Sequence, residues 1–102
     1  MKTLQLTLAR NGQSTKPTSD AFAPDEITVL HQLVPRLEGR TLKQKNPHPP
    51  NSLVWAAWII ARLGGWKGYA SERKPGPITI LHGLQSFAFI HQGYYLSTTI
   101  TL

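Results

Sequence analysis

Cysteine is absent from this chain, so neither disulfide staples nor thiolate metal sites can hold or equip the fold. Acidic residues are scarce, with five Asp and Glu against eleven Lys and Arg and a formal net charge of +6. Scattered carboxylates of this kind supply no metal-chelating set and no pair spaced for acid–base work. Asp25 and Glu26 are adjacent, but neighbouring positions on a helix diverge by about 100°. They read as charges placed at a helix start. His31, His48, His82 and His91 lack the paired spacing of metal ligands, and structural or surface roles are assigned to His82 and His91. No Gly-rich phosphate loop of Walker or Rossmann type occurs, and no serine sits in a nucleophile elbow. Leu63-Gly-Gly-Trp66 follows a helical pattern instead of opening one. No catalytic constellation can be assembled, so the chain reads as a non-enzyme without a metal, a cofactor or a small-molecule substrate.

Long hydrophobic runs are missing too. The longest is about 11 residues, well short of the roughly 20 that a bilayer crossing takes. Met1–Arg10 has no continuous apolar stretch of the signal-peptide kind. No membrane partner is expected, and cytoplasm is the default location. A length of 102 residues allows one small domain with a thin stability margin.

What is present centres on Trp55-Ala-Ala-Trp-Ile-Ile-Ala-Arg-Leu-Gly-Gly-Trp66. From Leu53 to Leu63 only Arg62 interrupts the apolar side chains, so a helix here is apolar all round and must be packed all round. Pro47, Pro49 and Pro50 discourage an earlier start. Asn51 or Ser52 can serve as N-cap, and Gly64 and Gly65 stand where a left-handed C-cap is expected. Arg62 lies one turn after Trp58 and two after Trp55, so its guanidinium can cover indole faces while reaching water. Its alternative role is contact with a DNA phosphate or a partner.

A first helix is predicted from Pro24, with Pro24-Asp25-Glu26 suited to a helix N-terminus. Ile27, Leu30, His31 and Val34 share one face, Leu33 borders it, and Phe22 can staple against the first turn. Pro35 is expected to end this helix near Val34. Residues 36–51 read as a basic, then proline-rich loop, and 66–77 as a second loop in which Trp66 and Tyr69 pack back on the central helix. Leu4, Leu6 and Leu8 fit either strand or helix spacing, and residues 13–19 have linker composition.

The third helix is predicted from about Ile78 to Gln92, ending at Gly93. Ile80, Leu81, Leu84, Phe87 and Ala88 form its core stripe, opposite His82, Gln85, Ser86 and Gln92. Phe89 and Ile78 do not fit, because they project into the polar face. One exposed Phe is common on a protein surface, but Phe89, flanked by Gln85 and His82, is read as the sign of a second, intermolecular surface. The tail, 94–102, is rich in β-formers with no evident pairing partner. The fold expected is all-α: a small orthogonal domain of about three main helices with long Pro/Gly loops and irregular termini. Residues 1–19 form a stub or linker, 20–95 the helical domain and 96–102 a tail. The gap between the second and third helices is too long for a helix-turn-helix. Positive charge gathers at Arg36, Arg40, Lys43 and Lys45 around Glu38, and at Lys67, Arg73 and Lys74 around Glu72. These clusters suit either a phosphate-facing surface or a merely solvated one.

Trp58-Ile-Ile-Ala-Arg-Leu-Gly-Gly-Trp66, then Pro75-Gly-Pro77, then His82-Gly-Leu-Gln85, resembles the C-terminal dimerisation domain of transposon-five-type insertion-sequence (insertion-sequence-four-like) DDE transposases. Phe22-Ala-Pro-Asp-Glu26 is similar to the family's upstream helix start, and the resemblance runs through residues 20–95 in unbroken order. It implies a helical module that joins two transposases, each holding one transposon end, into a synaptic complex. The magnesium-binding catalytic core and the N-terminal end-binding domain of such enzymes are absent from these 102 residues, so the chain would be a fragment that does not cut DNA. The family's dimer contact maps onto Ile78–Gln92, with Ile78, Leu81, His82, Gln85, Phe89 and Gln92 as interface residues. The partners implied are a second copy or a full-length transposase, and transposon DNA through the basic residues. Two other roles stand beside this one. The chain could be an independent basic DNA-binding module, or a truncated product that inhibits the full-length enzyme through mixed dimers.

Overall fold

The computed structural model describes residues 5–6, 16–39, 45–67 and 75–99. Within them the chain forms three α-helices, α1 (Pro24–Leu37), α2 (Leu53–Leu63) and α3 (Pro77–Thr99), preceded by a single 3₁₀ turn at Thr18–Asp20. The all-α class expected from the sequence is what the structure shows. No strand occurs among the described residues; the one β-bridge joins Pro17 to Ser52.

The central helix is the core. Every residue of α2 from Leu53 to Ala61 is buried, as an apolar circumference requires. Burial of each large side chain among them contributes about 1.5–3 kcal/mol. Ser52 is the N-cap, its Oγ accepting the Trp55 amide proton at 3.2 Å. The C-terminus closes in a Schellman arrangement. Trp66 N–H bonds the Ala61 carbonyl at 3.0 Å, Gly65 N–H bonds that of Arg62 at 3.1 Å, and Gly65 takes the left-handed conformation at φ 100°.

Helix α1 starts at Pro24, where Glu26 Oε1 accepts the Ala23 amide proton at 2.9 Å. Alanine cannot return the bond, so only half a capping box forms. The helix does not stop at Val34. It continues through Pro35 to Leu37, and the reason lies in α2. Arg62 donates to the Leu37 carbonyl at 3.1 Å and to the Trp66 carbonyl at 2.8 Å, satisfying a terminal acceptor that would otherwise lack a partner. Its guanidinium carbon lies 5.9 Å from the Trp58 ring centroid. Arg62 is therefore a fixed internal tie. Of the predicted α1 face, Leu30 is fully buried while Ile27, Leu33 and Val34 are half-buried; Val29, outside the predicted face, is buried as well. His31 is exposed, donating to Asn51 Oδ1 at 2.7 Å and lying over Trp55 at 4.6 Å between ring centroids. Phe22 is buried edge-on to Phe87, with centroids 5.7 Å apart.

The segment read as linker contributes to the same core. Thr18 is buried and its Oγ1 donates to the Ser52 carbonyl at 2.8 Å. The Leu53 amide bonds the Lys16 carbonyl at 2.8 Å, and Leu6 is fully buried.

Two expectations for the third helix are corrected. It does not end at Gly93 but runs on to Thr99, because Tyr94 packs against the core beyond the glycine. The residues read as a β-rich tail thus supply its last turns. Its buried face is also rotated by about 50° from the predicted stripe, at about 100° per residue. Leu81 and Ala88 are exposed, and the buried line runs through Ile80, Gly83 and Phe87, with Leu84, His91 and Tyr94 half-buried. The cause is Gly83. A Cβ there would collide with the Ile60 carbonyl, and one at Gly64 with the Thr79 carbonyl. The two helices meet backbone to backbone, and the glycines set which face of α3 turns inward. Tyr69 lies outside the described residues; Trp66 does pack on the core.

These contacts predict opposite outcomes for two glycines of one helix. Gly83→Ala overpacks the crossing and should lower the unfolding free energy by about 1–3 kcal/mol. A Cβ at Gly93 meets nothing within 4 Å, so Gly93→Ala should raise it by about 0.5–1 kcal/mol. Urea denaturation followed by far-ultraviolet circular dichroism measures both.

Candidate interaction face on the last helix

No Asp, Glu, Lys or Arg occurs in the 23 residues of α3, so nothing charged marks one side of it as the side that faces water. Its inner face is taken up by Ile80, Gly83, Leu84, Phe87, His91 and Tyr94. The opposite face carries Ile78 at 70% exposure, Leu81 at 44% and Phe89 at 76%. His82, Gln85 and Gln92 are exposed on the same side. All six residues predicted for an interface thus share one solvent-facing strip of a single helix. Extension of the helix past Gly93 adds a seventh that sequence reasoning missed. Leu96 is 49% exposed and lies in line with Ile78, five helical turns along at 3.6 residues per turn. The signal that could have found it was the seven-residue interval from Phe89 to Leu96, hidden by reading Gly93 as a terminus.

The strip is anchored from behind. His91 Nε2 lies 2.8 Å from Asp25 Oδ2, joining α3 to the first turn of α1. An ionised carboxylate only accepts, so the imidazole donates from Nε2. The hydrogen bond and charge of His91 hold the Asp25 carboxyl below its ordinary pKa. His91 also stacks on Phe87, with centroids 6.1 Å apart and planes 16° from parallel.

The basic residues do not assemble into a comparable surface among the described residues. Arg36 and Lys67 are exposed, and Lys45 Nζ stands 4.0 Å from Glu38 Oε1. Arg40, Lys43, Arg73 and Lys74 lie outside the described residues. The described residues hold five Lys and Arg against four Asp and Glu, so most of the net charge resides elsewhere in the chain.

Elsewhere, a mainly apolar pocket is lined by His48, Val54, Ala57, Trp58, Trp66 and Pro75. Desolvation pushes His48 below the ordinary imidazole range, which leaves it neutral at pH 7. Among the described residues no carboxylate or hydroxyl lines the pocket with it. Trp58 Nε1 is buried and finds no hydrogen-bond partner among the described residues. Among the described residues no three of His, Asp and Glu gather closely enough to hold a metal ion, and no helix is long and apolar enough to cross a membrane.

No family model, no curated protein and no solved structure matches this chain.

The Asp25–His91 contact makes a pH prediction. Because the folded pKa of Asp25 is depressed from 3.8, the stabilisation is fully present above that value. It is lost as pH falls below 3.8 and through the folded pKa, where the unfolded chain binds the proton more readily. Asp25→Asn should therefore flatten the acid limb of a plot of unfolding free energy against pH.

Proposed function

We propose that this chain is a helical dimerisation module of a cut-and-paste DNA transposase of the transposon-five type, joining two copies of itself or pairing with a full-length transposase. The observation that carries the reading is the outer strip of α3, where Ile78, Leu81, Phe89 and Leu96 are exposed on a helix without Asp, Glu, Lys or Arg. A monomer gains nothing by holding a phenylalanine at 76% exposure in line with three aliphatic side chains, whereas burying them against a partner removes apolar area from water. The motifs behind the resemblance give a second, independent support. Gly64 of the Arg-Leu-Gly-Gly stretch and Gly83 of His-Gly-Leu-Gln are the two glycines that let α2 and α3 touch, and that contact orients the strip outward.

In this reading the module performs no chemistry. It supplies association, and strand cleavage belongs to a magnesium-dependent core on the parent enzyme. The cytoplasm, where such an enzyme meets DNA, is the matching location. Arg36 and Lys67 remain available for DNA phosphates, as a contribution secondary to pairing.

Sedimentation velocity over a wide concentration range tests the reading directly. The wild-type chain should show a concentration-dependent dimer. Phe89→Asp should weaken it by about 100-fold or more, since two phenylalanines per dimer lose about 1.5–3 kcal/mol each. Helical content should be unchanged. A wild-type chain that stays monomeric throughout would sink the proposal, and salt-dependent DNA binding would then become the reading to pursue.

A further inference from the structure

We propose that the His48 side chain is an acid-sensitive plug, filling one wall of the apolar pocket beside α2 while neutral and swinging out to water when it takes a proton. This goes beyond the pairing of copies and does not depend on it. The pocket is walled by Val54, Ala57 and Trp58 of α2, by Trp66 beyond its end, and by Pro75 before α3. Val54, Ala57, Trp58 and Pro75 are buried, whereas His48 and Trp66 are half-buried. With the imidazole in place the cavity measures about 20 Å³, room for about one water and nothing larger.

Asn46 fixes the backbone that carries the ring. Its own N–H donates to Glu38 Oε2 at 2.6 Å and its Nδ2 donates to the Trp55 carbonyl at 3.2 Å. Its Oδ1 accepts from the His48 N–H at 3.1 Å. The chain at position 48 is thereby tied to the end of α1 and to α2 together. Rotation about the side-chain bonds of His48, between staggered rotamers, is the route left open, and displacement of the loop is not.

A charged imidazole finds no answer in this pocket. Protonation turns one donor and one acceptor into two donors, and among the described residues no carboxylate or hydroxyl lines the walls. The charged groups on the surrounding elements are Glu38 at the end of α1, Lys45 on the loop, Arg62 on α2 and Lys67 after it. Glu38, the one carboxylate among these, already accepts from Asn46 and stands 4.0 Å from Lys45 Nζ. Arg62 lies over Trp58 and donates to the Leu37 and Trp66 carbonyls. Glu72, Arg73 and Lys74, which precede Pro75, lie outside the described residues. Burial is what holds the imidazole below its ordinary range, and water supplies the solvation that the pocket withholds. Because the folded pKa is lowered from 6.5, the stabilisation is complete above that value and falls away as pH drops below it towards the folded pKa. When the ring leaves, an apolar wall that includes the Trp58 and Trp66 indoles opens.

A nuclear magnetic resonance titration of the full 102-residue chain between about pH 8 and 5 tests the plug. The His48 ring should titrate below 6.5. Its nuclear Overhauser contacts to Val54 and Trp58 should vanish with the same midpoint, and the Trp58 and Trp66 indole N–H signals should shift with it. His48→Phe and His48→Gln, each checked for helical content by circular dichroism, should abolish that indole step. In urea, the unfolding constant of the wild type should rise relative to either variant below 6.5, by up to about tenfold per pH unit, since one proton is at stake. A His48 ring that titrates at or above 6.5, contacts that persist once the ring is charged, or an indole step that survives in both variants would each overturn the proposal. So would a step that Glu72→Gln removes, since the ring would then be answering a carboxylate.

Discussion

The backbone contact between Gly83 and the Ile60 carbonyl is the constraint from which the rest of the molecule follows. Side chains normally hold helices 8–10 Å apart. Glycine at 83 on one helix and at 64 on the other lets α2 and α3 meet at their main chains. That close approach decides the rotation of α3 about its own axis. Ile80 and Phe87 are driven inward, and the strip from Ile78 to Leu96 is turned to solvent. A helix that is apolar on both sides has no preferred face of its own, so the smallest residue in it, and not the largest, selects the orientation.

Around this crossing, α2 is kept in place by polar ties to segments distant in sequence. Arg62 reaches the last carbonyl of α1 and the loop after its own helix. Ser52 and Asn51, at the other end, accept from Thr18, which draws the N-terminal segment over the start of the helix. Asn51 takes a left-handed conformation, with φ 69°, and presents its side chain to His31. Asparagine tolerates that conformation better than other residues with a side chain. These contacts satisfy helix ends that the buried core could not otherwise accommodate.

The surface consequence is a division of labour within α3. The inner line gives stability, through Phe87 against Phe22 and through His91 against Asp25. The outer line is exposed and lies outside the hydrophobic core formed by the described residues. Exposure of Phe89 and Ile78 is a cost a marginally stable domain of this size has little room for, which is the physical ground for the proposed pairing of two copies.

Much of this was legible from residues alone. The all-α class, the burial of Leu53–Ala61, the start of α1 at Pro24 and the cap at Gly64-Gly65 all follow from local patterns: apolar periodicity, proline placement and paired glycines. The misfit of Phe89 and Ile78 was legible as well, because position on a helix is set by spacing. What only tertiary structure decided were the points where two segments compete or cooperate. Pro35 ends a helix in isolation, but Arg62 covers the Leu37 carbonyl and gives α1 another turn. Gly93 ends a helix by propensity, but packing of Tyr94 outweighs a penalty of about 1 kcal/mol. Leu81 belongs to the core stripe by hydrophobicity, but the glycine crossing turns it outward. In each case a contact made across the chain exceeded a preference of the local sequence, and such contacts exist only once the helices have met.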